Sequence, residues 1–261
     1  MKIVGQDKLL NLIDSKTRST FPRSLILLGE WGSGKHTLCQ HIKEHLCIDM
    51  LDITDTLNLA TINELYQRPE PYLYVIDGTK ITVKEQNIIL KFVEEPLKNA
   101  YIIIIAESKS QLLNTVLNRC QVWTIPPYSK EILKTFTQDE GVLEIANTPG
   151  LVLSMLSTNQ CEVTELANKL IEKIGVANPA NVLNISDKMA YKNEKDKINI
   201  EVFAKVLLHQ AVKYVLSENN KSYIDTYLRI NKWVNERKIP NVNQRYLFET
   251  FLIDLHKLRR G

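Results

Sequence analysis

Hydrophobic and polar positions follow one rhythm in the first half of the chain and another in the second. Up to about residue 127, short apolar runs alternate with helical patterns. The runs predict five strands, at Ser24–Leu28, Ile48–Ile53, Tyr72–Asp77, Tyr101–Ala106 and Gln121–Ile125. Between them, helices are predicted at Thr37–Cys47, Ile62–Gln67 and Val83–Glu95, with a further helical stretch around Leu112–Leu117. In Val83–Glu95 the residues Ile88, Ile89, Phe92 and Val93 share one face, and Pro96 stops the helix. Nearly continuous apolar strands separated by helices imply a parallel sheet covered on both faces. Tyr101–Ala106, the most uniformly apolar run, belongs near its centre.

After Pro126-Pro127 the strand signal stops. Tyr128–Ser157 reads as one or two short helices with a turn at Thr148-Pro149-Gly150. From Val163 on, apolar residues recur at helical spacing: Leu166, Leu170, Ile171 and Ile174; Phe203, Val206, Leu207, Ala211, Val212 and Val215; Tyr227, Ile230 and Val234; Tyr246, Phe248, Leu252 and Leu255. Polar linkers at Asn178–Asn184, Ser217–Lys221 and Lys238–Asn243 separate them. The expected division is an α/β domain over 1–126, a short helical lid over 127–158 and an all-α domain over 159–261.

Composition sets limits. Of the 261 residues, 44% are hydrophobic and 24% charged, as in an ordinary folded domain. The longest apolar runs fall far short of the ~20 residues that a membrane span needs, and MKIVGQDKLL carries no signal-peptide core. The expected location is the cytoplasm, with no membrane partner. Cys39, Cys47, Cys120 and Cys161 form no C-x-x-C pair, so no zinc or other metal site is expected. Residues 201–261 hold eleven Lys/Arg against six Asp/Glu, a charge of +5, against a whole-chain charge of +3. The basic end His256–Arg260 reads as a solvated helix end.

Chemistry concentrates after the first strand. Gly29-Glu30-Trp31-Gly32-Ser33-Gly34-Lys35 is a G-x-x-x-x-G-K phosphate loop in its proper context, strand before and helix after. Glycines let backbone N–H groups converge on a phosphate, the helix N-terminus adds partial positive charge, and Lys35 reaches the β- and γ-phosphates. The next position, where a hydroxyl holds Mg²⁺, is His36. Thr37 carries a hydroxyl about 100° further round the helix. ATP or ADP is therefore expected to bind, and Mg²⁺ to be poorly held. Trp31 either stacks on a partner or caps the site. Asp77 closes the third strand as a metal-directing aspartate would, but Gly78 follows it. His41, Glu44 and His45 spell H-x-x-E-H, a pattern of some zinc proteases, read here as a solvated helix face.

Three further segments carry a resemblance. Gln86-Asn87-Ile88-Ile89-Leu90-Lys91-Phe92-Val93-Glu94-Glu95-Pro96 resembles the Q-N-A-L-L-K-x-L-E-E-P helix of bacterial clamp-loader ATPases. Leu112–Gln121 is similar to their L-L-P-T-I-x-S-R-C-Q segment, and Ile3-Val4-Gly5-Gln6 to a V-G-Q box lying near the adenine. The chain thus resembles the delta-prime branch of the AAA+ clamp-loader family, which includes the gamma/tau and replication factor C subunits. The resemblance implies an AAA+ P-loop fold, a helical collar at 159–261, and partners: other clamp-loader subunits, the sliding clamp and primed DNA. It implies a nucleotide site of Val4, Gly29 to Thr37 and Asp77. It also implies that Arg119 serves as an arginine finger for a neighbouring subunit, where the residues alone allow an arginine paired with a carboxylate. The family's catalytic glutamate after Asp77 is replaced by Gly78, and its sensor arginine is missing between Pro127 and Gln160. A weak or inactive ATPase follows. The alternatives are a self-sufficient AAA+ ATPase and a nucleotide-binding interaction protein outside replication.

Overall fold

The computed structural model describes residues 3–67, 71–96, 100–173, 199–218, 221–236 and 244–258. The chain divides into two compact units, Met1–Ile132 and Leu133–Gly261.

The first unit is built on five parallel strands: β1 (Ser24–Leu28), β2 (Asp49–Asp52), β3 (Tyr72–Asp77), β4 (Ala100–Ala106) and β5 (Gln121–Thr124). Their order across the sheet is β2-β3-β4-β1-β5, so β4 is central. All seven of its residues are buried. Side chains alternate between the faces. Ile102 and Ile104 join Ile26, Tyr74 and Ile76 in one layer, closed by Ile62, Ile89, Phe92, Val93 and Val116. Ile103 and Ile105 join Leu25, Leu27 and Val75 in the other, closed by Leu38, Ile42, Leu46, Leu9 and Ile13.

Helices α1 (Asp7–Asp14), α2 (Lys35–Leu46), α3 (Leu59–Leu65), α4 (Val83–Ile88), α5 (Leu90–Glu94) and α6 (Asn114–Leu117) cover the sheet. Several differ from the sequence reading. Helix α1 has no counterpart in it. The helix expected over Val83–Glu95 is interrupted at Ile89, although that residue keeps right-handed helical backbone angles (φ −78°, ψ −9°), so α5 continues α4 closely. Of the Leu112–Leu117 stretch only Asn114–Leu117 is α-helical. Thr82 and Glu85 form a reciprocal capping box that fixes the start of α4. The H-x-x-E-H histidines sit against α1: His41 Nε2 lies 2.8 Å from Asp14 Oδ1, and His45 Nε2 donates to the Lys16 carbonyl at 2.6 Å.

A four-residue helix α7 (Lys130–Leu133) stands at the boundary. The second unit holds α8 (Glu140–Ile145), α9 (Pro149–Ser157), α10 (Gln160–Lys173), α11 (Ile200–Glu218), α12 (Lys221–Glu236) and α13 (Gln244–Leu258). The expected turn at Thr148-Pro149-Gly150 is the start of α9: Thr148 Oγ1 accepts from Leu151 N at 3.3 Å and Pro149 takes the first helical position. Helices α10 to α13 pack each on the next, and α8 and α9 pack on α11. Phe203, Trp233, Phe248 and Phe251 form an aromatic core, with the Trp233 and Phe251 rings stacked at 4.8 Å. Val212 and Tyr246, expected on apolar faces, are 39% and 70% exposed. Ile174, the linkers 178–184 and 238–243, and Arg259-Arg260 lie outside the described residues, as does part of Ser217–Lys221. No described helix is long and apolar enough to cross a membrane.

The thiols report on this packing. Burial holds Cys39 and Cys120 at a pKa of about 12, whereas Cys47 and Cys161 are exposed. Since the thiolate is the reactive form, a thiol reagent at neutral pH should modify Cys47 and Cys161 rapidly and Cys120 slowly. Cys39 should react only on unfolding. Mass mapping of labelled peptides over time checks this, and early labelling of Cys39 contradicts the packing of α2 on the sheet.

Candidate functional site

Parallel connections bring the carboxyl ends of all five strands to one edge, where ligands of open α/β sheets sit. At that edge β1 runs into the phosphate loop. Gly29 continues the strand, its N–H donating to the Ala106 carbonyl. Gly34 adopts φ +88°, a left-handed conformation that glycine accepts without strain. It caps α2, and no side chain caps the first turn of that helix. The orphan N–H groups of a helix start and its partial positive charge suit a phosphate.

Other atoms of the loop point the same way. Ser33 is 4% exposed and its Oγ has no hydrogen-bond partner. An orphaned buried hydroxyl is costly, and a phosphate oxygen would satisfy it. Lys35 Nζ donates to the carbonyls of Gly29 (2.7 Å) and Glu30 (2.9 Å), which keeps the ammonium inside the loop. Trp31 and Gly32 are half-buried, Glu30 and His36 are exposed, and Thr37 is half-buried one position beyond His36.

The N-terminal segment reaches the loop indirectly. Val4 is 37% exposed. Two residues on, Gln6 is buried and its Nε2 donates to the Pro126 carbonyl at 3.1 Å. Tyr128, just beyond, donates its hydroxyl to the Ser33 carbonyl at 2.8 Å. Burial pushes the Tyr128 phenol above its ordinary pKa, and the adjacent Gln6 side chain opposes that shift. The sequence reading missed Tyr128. Only its position after the double proline hinted that it returns over the site.

Asp77 stands at the end of β3, level with Ile105 of β4, which is itself level with Leu27 of β1. Its carboxylate is committed. Oδ1 accepts from Thr79 N (3.0 Å) and Thr79 Oγ1 (2.7 Å), and Oδ2 lies 3.9 Å from Lys80 Nζ. Mg²⁺ demands octahedral oxygen ligation. With an imidazole at the hydroxyl position and Asp77 occupied by Thr79 and Lys80, the side chains fit a phosphate and do not fit that cation. Gly78 is tightly held: its N–H donates to the Ile105 carbonyl at 2.8 Å, and a Cβ there would meet Leu112 Cδ2 at 2.9 Å and the Ile105 carbonyl oxygen at 3.0 Å. Glu107, also missed, leaves β4 at the same edge, its backbone N–H held by Gln111 Oε1 at 2.7 Å.

Arg119 lies beyond α6 at a separate place. Its Nε pairs with Glu94 Oε2 at 3.0 Å and its Nη1 donates to the Thr115 carbonyl at 2.9 Å. The side chain remains 33% exposed. Gln86 braces the chain ahead of α6. This buried amide donates to the Gln111 carbonyl (2.9 Å) and accepts from Leu113 N (2.7 Å), joining α4 to the segment that leads into α6.

Parts of the chain are similar to known proteins. The family model described as DNA polymerase III, delta subunit, matches residues 69–129. The chain is 26% identical over 159 residues to DNA polymerase III subunit delta' of Haemophilus influenzae, covering 57% of this chain and 49% of that protein. It is 29% identical over 98 residues to subunit delta' of Bacillus subtilis, covering 36% of this chain and 28% of that one. The chain thus matches about half, or less, of the length of these relatives. A gamma subunit-related protein of Thermotoga maritima aligns over 98% of this chain and 99% of that chain, with 13% identity and a TM-score of 0.44. By its sequence matches the chain is a delta-prime-like protein.

The packing around Gly78 has a measurable consequence. Gly78→Glu, which places a carboxylate directly after Asp77, forces Leu112 aside and crowds the Ile105 carbonyl. It should lower stability by about 1–3 kcal/mol and confer no ATP turnover. Thermal melts and a phosphate-release assay on the purified variant test this. A variant that melts like the wild type and hydrolyses ATP shows that the glycine is not a packing requirement.

Proposed function

We propose that the chain acts as a clamp-loader subunit of a replicative DNA polymerase. The match over residues 69–129 carries this reading, because that span contains Asp77, the Gln86 strut and Arg119. The assembled loader would use ATP to open a sliding clamp and set it on primed DNA. In that assembly this chain binds ATP or ADP through the phosphate loop and turns it over poorly. His36 in place of a hydroxyl, Gly78 in place of glutamate and a committed Asp77 support the second part.

Arg119 is the residue by which such a subunit acts on its neighbour. A guanidinium stabilises charge developing on a transferred phosphoryl group, and in the best-studied switches this is worth about 10³–10⁵ in rate. The exposure of Arg119, 33% at the side chain, supports this role. The Glu94 pair also favours a second reading, in which Arg119 merely clasps α5 to α6.

The two readings separate in a reconstituted complex with the cognate ATPase subunit. As a finger, Arg119→Ala lowers DNA-stimulated ATP hydrolysis several-fold with assembly intact. Arg119→Lys, lacking the planar fork, rescues only in part. Glu94→Ala leaves hydrolysis at the wild-type level, because it frees the arginine without removing it. As a clasp, Arg119→Ala and Glu94→Ala shift stability alike, by the ~1 kcal/mol or less of an exposed pair, and neither lowers hydrolysis. Failure to assemble with any clamp-loader subunit refutes the functional reading itself.

A further inference from the structure

We propose that the phosphate loop holds its nucleotide without a divalent cation, and that Lys80 supplies the positive charge a metal would bring. The inference rests on reading the loop as a nucleotide site. It starts from the disagreement between the side chains and the metal.

A polyphosphate brings three or four negative charges to an edge already facing Asp77, Glu30 and Glu107. Lys35 and the start of α2 offset part of this. In metal-dependent sites a hydroxyl after the lysine and a strand-end aspartate direct a dication that offsets the rest. Here the hydroxyl is replaced by His36, whose imidazole is a poor ligand for a hard cation. Asp77 Oδ1 already accepts two hydrogen bonds from Thr79.

The remaining carboxylate oxygen faces an ammonium. Lys80 N donates to the Asp77 carbonyl at 3.0 Å, closing a turn that folds the lysine back over the strand end. Its Nζ lies 3.9 Å from Asp77 Oδ2, the carboxylate oxygen that Thr79 does not use. The side chain is 62% exposed, so the ammonium can turn from carboxylate to phosphate. An ammonium carries three donors, and at 3.9 Å its pairing with Asp77 is an ion pair and not a hydrogen bond. Strands β3 and β1 are separated only by β4, a lateral distance of about 10 Å. The flexible four-carbon stem of a lysine spans much of that gap. Unlike Mg²⁺, a monovalent ammonium needs no octahedral shell and is never lost to chelators. A site built this way retains nucleotide without a Lewis acid to promote its cleavage.

The test is equilibrium binding of ADP and ATP to the full chain by titration calorimetry, in Mg²⁺ and in excess EDTA. The expected affinities agree within about twofold between the two conditions. Lys80→Ala should weaken binding in EDTA about tenfold, the scale of one charge-assisted contact. Lys80→Arg should keep most of the affinity, and Lys84→Ala should leave it unchanged. Melting curves without nucleotide confirm that each variant is folded. Wild-type binding that tightens tenfold or more with Mg²⁺ overturns the proposal, as does wild-type affinity in a folded Lys80→Ala variant. Neither result touches the reading of the loop as a nucleotide site. That reading fails separately, if the wild type binds no nucleotide in either condition or if Lys35→Ala binds as well as the wild type.

Discussion

Seven consecutive buried residues on β4 constrain everything else in the first unit. A strand buried on both faces needs a neighbour on each side and a helical layer above and below. Ile102 and Ile104 demand one layer, and Ile103 and Ile105 the other. The neighbours are β1 and β3, so the strand that feeds the phosphate loop and the strand that ends in Asp77 are held in fixed register through Ile105. The site is therefore a consequence of the core. The loop, Asp77 and Glu107 share an edge because parallel strands with helical crossovers leave them no other place.

Elements whose identity is local were legible in the sequence. Each strand lies within two residues of its expected bounds, because continuous apolar runs bounded by glycine, proline or charge have few alternatives. The centrality of β4 followed from its apolar run. Helix α1 escaped the sequence reading although its apolar residues recur at helical spacing and bury Leu9 and Ile13. The break at Ile89 was illegible because its apolar face continues unbroken across it.

Polar contacts between distant segments were the least legible. Tyr128 and Ser33 are 95 residues apart, and Gln86 and Leu113 are 27. A tyrosine after two prolines and a glutamine in a helix have many ordinary roles. Their partners are chosen by tertiary structure, which periodicity does not encode. The same limit applied to Arg119. The residues allowed a carboxylate partner, but only the placement of α5 beside α6 identifies it as Glu94.

The phosphate loop is held by contacts that do not involve the positions at which it departs from the motif. Its conformation is kept by bonds internal to the protein: Lys35 ties the Gly29 and Glu30 carbonyls, Tyr128 ties Ser33, and α2 needs a left-handed residue at Gly34 to start where it does. None of these bonds depends on a hydroxyl at 36 or a carboxylate at 78. The loop's conformation is therefore independent of the residues at those two positions. Once Gly78 is packed against Leu112 and the Ile105 carbonyl, regaining the carboxylate costs stability. The region around Arg119 is held just as locally: Gln86 braces the segment that leads into α6 and Glu94 pairs with the Arg119 side chain, so neither contact depends on what the phosphate loop binds.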